Sequence, residues 1–204
     1  MPARQYNQRL RAESASETRR RILDAVAERM RTAPTEPVSV DQVARLAKVA
    51  RSTIYVVFGS RDGLFEAFAE DLFTRTGMSV LEQAVKVDDA LEQLRAATRA
   101  ACRMFAGDID VYRVLYAMAR LDPDAVGQVV DAAEHGRRRG MGRLARRLAE
   151  DGYLRDGITA EQALDLLWVL GSFDAFYHLH VGRGLSADDA ADLMFETAER
   201  ALLR

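Results

Sequence analysis

Within "VSVDQVARLAKVARSTIYVVFGSRDGLF", residues 38–65, Arg51, Ser52, Thr53 and Tyr55 crowd one guanidinium and three hydroxyls into five positions. An apolar core has no use for this row. Its chemistry suits a surface patterned with hydrogen-bond acceptors. An arginine fork can give two parallel bonds to a guanine edge, and hydroxyls can reach base edges or phosphate oxygens.

The flanking residues define what must hold that row in place. Ser39 is placed to cap a helix, Gln42 to reciprocate at the third helical position, and Val38 to staple onto Val43. Val40, Val43, Ala44 and Ala47 then form a buried stripe, and "AKVA" leaves room only for a tight turn. Ile54 and Phe58, four apart, turn inward on the second short helix, so Arg51, Ser52 and Tyr55 fall on its other side. Two helices so joined pack against a third and free the outer face of the second to enter a DNA major groove. The third is supplied upstream. Ser14 with Glu17 makes a capping-box pattern, Ile22, Val26 and Met30 follow at helical spacing, and "APTEP" ends the run. Ser60 caps a fourth helix carrying Leu64, Phe65 and Phe68.

Downstream, helical stretches are expected over 62–85, 88–106, 108–120, 123–151, 159–181 and 186–203. The breaks are built from Gly, Pro or Asp, and Thr159 with Gln162 and Ser186 with Asp189 serve as further caps. The fold class is all-α, about nine helices, with no strand and no internal repeat. The expected organisation is a flexible basic arm over 1–13, a helix-turn-helix domain over 14–61 and a helical body over 62–204.

Charge follows the same division. The chain has 204 residues and a formal net charge of −2, yet residues 1–60 hold eleven Lys and Arg against six Asp and Glu. The remainder holds eighteen against twenty-five, the pattern of a polyanion-binding head on an acidic body. No apolar run approaches the ~18 residues of a membrane span. The single cysteine, Cys102, excludes an internal disulfide framework and fits a reducing cytosol, so a cytoplasmic location is expected.

"TRRRILDAV" followed by residues 38–65 resembles the N-terminal domain of TetR-type transcriptional repressors. Thr18-Arg19, Ile22-Leu23-Ala25, Ser39-Val40, Ala44, Ala47, Val49, Thr53-Ile54-Tyr55, Phe58, Ser60 and Leu64 carry the likeness over about residues 16–68. The resemblance implies groove-facing contacts from Arg51, Ser52 and Thr53 and a phosphate contact from Tyr55. It implies another phosphate contact from Arg61, where a lysine is usual, and one at Ser39 assisted by free helix N–H groups. Four positions depart from the pattern. Lys48 stands at a turn position that favours glycine, and could itself reach a phosphate. Ala50 replaces a capping serine, and Val56 with Val57 replaces residues that often touch the backbone.

The resemblance also implies that the body dimerises through its last two long helices and encloses a small-molecule pocket. Residues 163–180, "ALDLLWVLGSFDAFYHLH", are apolar on almost every face and need cover from two directions, the core and a partner copy. Ala190, Leu193, Met194, Thr197 and Leu202 offer a second stripe. Met104, Phe105, Tyr112, Tyr116, Met118, Met141, Trp168, Phe173, Phe176 and Tyr177 are candidate walls for a hydrophobic effector with one or two polar handles; at helical spacing they equally describe a core.

"GMGRLA" fits a dinucleotide fingerprint as a string but follows an arginine run instead of a strand. The six arginines of residues 137–147 read as a solvated face, with Glu134 paired to Arg138. With three histidines and one cysteine, no metal or other cofactor is expected. No nucleophile elbow, P-loop or zincin motif occurs, and enzymatic activity is not expected. The sequence therefore predicts a homodimeric transcriptional repressor that binds an inverted-repeat DNA operator and is released by a small molecule. The rivals are a ligand-independent architectural DNA-binding protein and a helical enzyme with a DNA-binding head.

Overall fold

The computed structural model describes residues 2–121 and 123–204, with side chains from residue 13 onward except 123–125 and 127. Its α-helices are α1 (Pro2–Thr32), α2 (Val40–Ala47), α3 (Arg51–Phe58), α4 (Arg61–Thr76), α5 (Met78–Ala84) and α6 (Ala90–Ala106). They continue with α7 (Ile109–Leu121), α8 (Pro123–Glu150), α9 (Ala160–Leu170), α10 (Phe173–Tyr177) and α11 (Ala187–Leu202). A π-helical turn over His178–Gly182 precedes α11. Among the described residues the only extended pairing is an isolated antiparallel bridge, Leu154 to Leu203. The all-α expectation is met. No described helix is long and apolar enough to cross a membrane.

Helix starts follow the caps written in the sequence. Ser39 and Gln42 form a reciprocal capping box at α2, and Thr159 and Gln162 form another at α9. Ser60 Oγ accepts the Gly63 N–H at 2.9 Å, and Ser186 Oγ accepts the Asp189 N–H at 3.1 Å. Ser14 does not act as a cap. Helix α1 runs straight through it, because residues 2–13 are mostly good helix formers that give the backbone no reason to start later. The side chains of 2–12, within the expected basic arm, lie outside the described residues.

Two expected stretches are broken. Residues 62–85 divide at Gly77, whose φ of 122° places it in a region that side-chain-bearing residues avoid. Residues 159–181 divide at Gly171, after which Ser172 Oγ accepts the Ala175 N–H at 3.1 Å and starts α10 afresh.

The chain falls into two compact units, residues 1–71 with 110–130 and residues 72–109 with 131–204. In the first, Ile22, Val26, Met30, Val43, Ile54, Leu64 and Phe68 are fully buried. Arg29 is buried with them and closes the α1–α2 loop, donating to the Ala33 carbonyl at 2.9 Å and to Glu36 at 2.7 Å. In the second, α11 packs on α6 and α9. Its core gathers Leu94, Leu144, Leu148, Ala163, Leu167, Phe195, Ala198 and Leu202.

Candidate nucleic-acid interface

The α2–α3 pair is held from beneath and bare above. Ile54 anchors α3 with no exposed surface, while Arg51, Ser52, Tyr55 and Val56 project outward and Thr53 and Phe58 are half-buried. The Arg19 guanidinium of α1 lies 4.8 Å from the Phe58 ring centroid, a cation–π contact tying the far end of α3 to α1. Gly63 completes the seat, because a Cβ there would collide with the Phe58 carbonyl oxygen. The last turn of α3 and the first turn of α4 thus approach as closely as only glycine permits.

The turn adopts the geometry that the sequence makes costly. Lys48 sits at φ 54°, ψ 47°, a left-handed conformation usually left to glycine, and is the sole described non-glycine residue at positive φ. Its amide N–H caps α2 by reaching Ala44 and Arg45 carbonyls, and its side chain is exposed. Ala50 starts α3 without a side-chain cap, at a loss of about 1 kcal/mol against serine.

Of the residues expected to touch DNA, Arg51 and Tyr55 are brought into direct contact: Arg51 Nη2 donates to the Tyr55 hydroxyl at 3.3 Å, with the guanidinium 5.7 Å from the Tyr55 ring centroid. Asp41 joins them from α2, its carboxylate oxygens accepting from Arg51 Nη1 at 3.3 and 3.2 Å. The Tyr55 hydroxyl first, and then the Asp41 charge, hold the Arg51 guanidinium more firmly protonated than usual. The sequence reading missed Asp41. Its partner lies ten residues away across the turn, and only the acidic residue in the first turn of α2 hinted at it. Ser39 is exposed, its hydroxyl accepting the Gln42 N–H at 3.2 Å. Arg61 is half-buried, its guanidinium 5.3 Å from the Phe65 ring centroid.

The candidate effector residues divide between the two units. Tyr112, fully buried, and Tyr116, half-buried, belong to the first. In the second, Phe105, Phe173 and Tyr177 form a run of ring contacts, with centroids 5.3 Å apart for Phe105–Phe173 and 5.7 Å for Phe173–Tyr177. Met104 is buried, and Met141 and Trp168 are joined through Arg137. Arg137 is the correction to the solvated arginine face. It pairs with Glu134 at 2.6 Å, displacing the expected Arg138, and lies 3.7 Å over the Trp168 ring while donating to the Trp168 carbonyl at 3.0 Å. Among the described residues no three His, Cys, Asp or Glu side chains are grouped to hold a metal ion.

Residues 22–68 match the model of the bacterial regulatory proteins of the tetR family. No curated protein sequence matches the chain. Similar solved structures include a TetR-like transcriptional regulator from Rhodococcus sp. RHA1, 22% identical over 90% of this chain and 94% of that one, with a TM-score of 0.69. NalD, the secondary repressor of the MexAB-OprM multidrug efflux pump in Pseudomonas aeruginosa, is 21% identical over 94% and 98%, with a TM-score of 0.70. The complex of triclosan with SmeT, repressor of the Stenotrophomonas maltophilia SmeDEF pump, is 15% identical over 92% of each chain, with a TM-score of 0.72. The family match falls on the helices that build the interface, and the fold recurs over nine-tenths of the chain: residues 22–68 form a tetR-type helix-turn-helix, carried on an all-α fold like that of TetR-type regulators.

Proposed function

We propose that the protein is a homodimeric repressor that binds an inverted-repeat operator in the cytoplasm and is released by a small, largely hydrophobic molecule. The observation that carries the DNA reading is the exposed Arg51–Ser52–Tyr55 row on a helix anchored by Ile54 and preceded by a capped α2. Arg51, Ser52 and Thr53 supply base-edge contacts, and Ser39, Lys48, Tyr55 and Arg61 supply phosphate contacts. A homodimer is favoured by apolar surface left on the last helices: Val169 of α9 is 62% exposed and Leu193 of α11 is 41% exposed. Two-fold symmetry then presents two copies of α3 to successive major grooves, ~34 Å apart.

Effector release is supported by the aromatic run of buried Phe105 and Phe173 with half-buried Tyr177, by Met104, Met141 and Trp168 in the same unit, and by the triclosan complex of a protein of the same fold. A ligand that favours one of two body conformations shifts the head population by its differential affinity, and DNA weakens that ligand by the same factor.

The test begins with selection of bound fragments from the source genome, which yields the operator. Arg51→Ala then lowers operator affinity by about 1–3 kcal/mol and relaxes selectivity at one position per half-site. Equal losses on operator and random DNA remove Arg51 from base readout. A monomer bound to one half-site overturns the dimer. Operator affinity unmoved by any fraction of a cell extract removes the inducer.

A further inference from the structure

Asp41 occupies the first turn of α2, two residues after the Ser39 cap. A carboxylate suits that end of a helix dipole, but it opposes any phosphate drawn to the same N–H groups. Its structural partner is Arg51, the exposed arginine at the start of α3. Both carboxylate oxygens accept from Arg51 Nη1, at 3.3 and 3.2 Å, and Arg51 Nη2 donates to Tyr55 at 3.3 Å. The Arg51 and Asp41 side chains remain 58% and 54% exposed, so the pair contributes little to stability. Its consequence is conformational. A free arginine samples many rotamers, whereas this guanidinium is fixed at both terminal nitrogens before DNA arrives, with three of its five N–H donors still available.

We propose that Asp41 is a specificity-determining residue, which holds Arg51 in its reading position and penalises duplexes that lack the matching base. On a matched site Arg51 keeps its carboxylate contact and gives its remaining donors to the base edge. On other sequences the guanidinium turns to the nearest phosphate and leaves Asp41 unpaired beside a polyanion. The inference rests on the reading of Arg51 as a base contact and adds the residue that makes that contact selective.

The experiment uses the full-length protein with Asp41→Asn, Arg51→Ala and the double variant, titrated by fluorescence anisotropy against operator and random duplex at one fixed salt concentration. Both side chains are largely in water, so circular dichroism is expected to show all three variants folded as wild type. Asp41→Asn is expected to tighten random-duplex binding several-fold and to lower the operator-to-random ratio about tenfold. In the Arg51→Ala background the same change should move operator and random duplex by one common factor. If Asp41→Asn in the wild-type background tightens both duplexes equally, Asp41 is only a repelling charge and the proposal fails. Arg51→Ala alone reports on the parent reading: an unchanged ratio there removes base reading by Arg51, and Asp41 with it. A lowered ratio for Arg51→Ala with an unchanged one for Asp41→Asn overturns the Asp41 proposal alone.

Discussion

The Arg51 guanidinium lies 5.7 Å from the Tyr55 ring centroid in the first unit, and the Arg137 guanidinium lies 3.7 Å from the Trp168 ring centroid in the second. Each also has a carboxylate, Asp41 in one case and Glu134 in the other. The surroundings differ. Arg137 is 18% exposed and donates to the Trp168 carbonyl, so its charge is spent on joining α8 to the end of α9. Other arginines of the second unit also bind main chain: Arg147 reaches the Val87 and Asp88 carbonyls, Arg155 that of Leu203, and Arg204 that of Leu154. Arg51 donates to the side chains of Asp41 and Tyr55, and its own side chain is 58% exposed. The same side chain is a structural clamp where neighbouring helices enclose it, and stays exposed beside Asp41 and Tyr55 where a short helix presents it, as the proposed base reading requires.

That contrast can be broken by substitution. The largest effect is expected in the enclosed core: Leu148→Ala, at a fully buried site, should cost about 2–5 kcal/mol in denaturant unfolding, since the cavity cannot be refilled by water. Gly63→Ala should cost about 1–3 kcal/mol and weaken operator binding as well, because the new methyl meets the Phe58 carbonyl and must displace α3 or α4. Arg137→Ala should cost about 1–3 kcal/mol of stability, through the unpaired Trp168 carbonyl and the lost ring contact. Arg51→Ala, by contrast, should move stability by no more than about 0.5 kcal/mol while changing DNA selectivity. Comparable stability losses at Arg51 and Arg137 would erase the distinction between reader and clamp.

The smallest effects concern titration. The Arg103 hydrogen bonds and charge hold Asp188 below the usual carboxylate range, and the Tyr153 hydroxyl with the Glu92 N–H does the same for Asp89. A depressed folded-state value means that the contribution is complete above the ordinary carboxylate pKa of about 4 and is lost as pH falls through the folded value. Asp188→Asn should therefore flatten the acid limb of a stability–pH curve, slightly lowering stability near neutrality and leaving it unchanged below the folded-state pKa of Asp188. Burial pushes the Cys102 thiol up to about 12, with the Asp188 charge adding to it. Alkylating reagents at pH about 8 should accordingly leave Cys102 unmodified in the folded protein and label it only on unfolding.

Legibility followed the range of the interaction. Ser39–Gln42, Thr159–Gln162, Ser60 and Ser186 act three residues away along the chain, and each cap formed where its spacing placed it. The Ile54 anchor and the outward Arg51 and Tyr55 follow from helical periodicity over four residues. Ser14 misled because a capping pattern is necessary for a helix start only when the preceding residues resist helix, and these do not. The break at Gly77 was hidden in a continuous apolar pattern. Glu134 had two arginines within helical reach, Arg137 and Arg138, and the pairing was settled by Trp168, 31 residues from Arg137.

By itself the sequence determined most of the helices, most of their caps, and the helix-turn-helix with its anchored and bare faces. These are outcomes of backbone geometry and of contacts within one or two helical turns, which residue order encodes directly. Only the tertiary structure decided that Asp41 meets Arg51, that Gly63 must lack a side chain and that Arg137 is a clamp. Those depend on which surfaces come together once the chain has turned back on itself, and spacing along the chain carries no record of that distance.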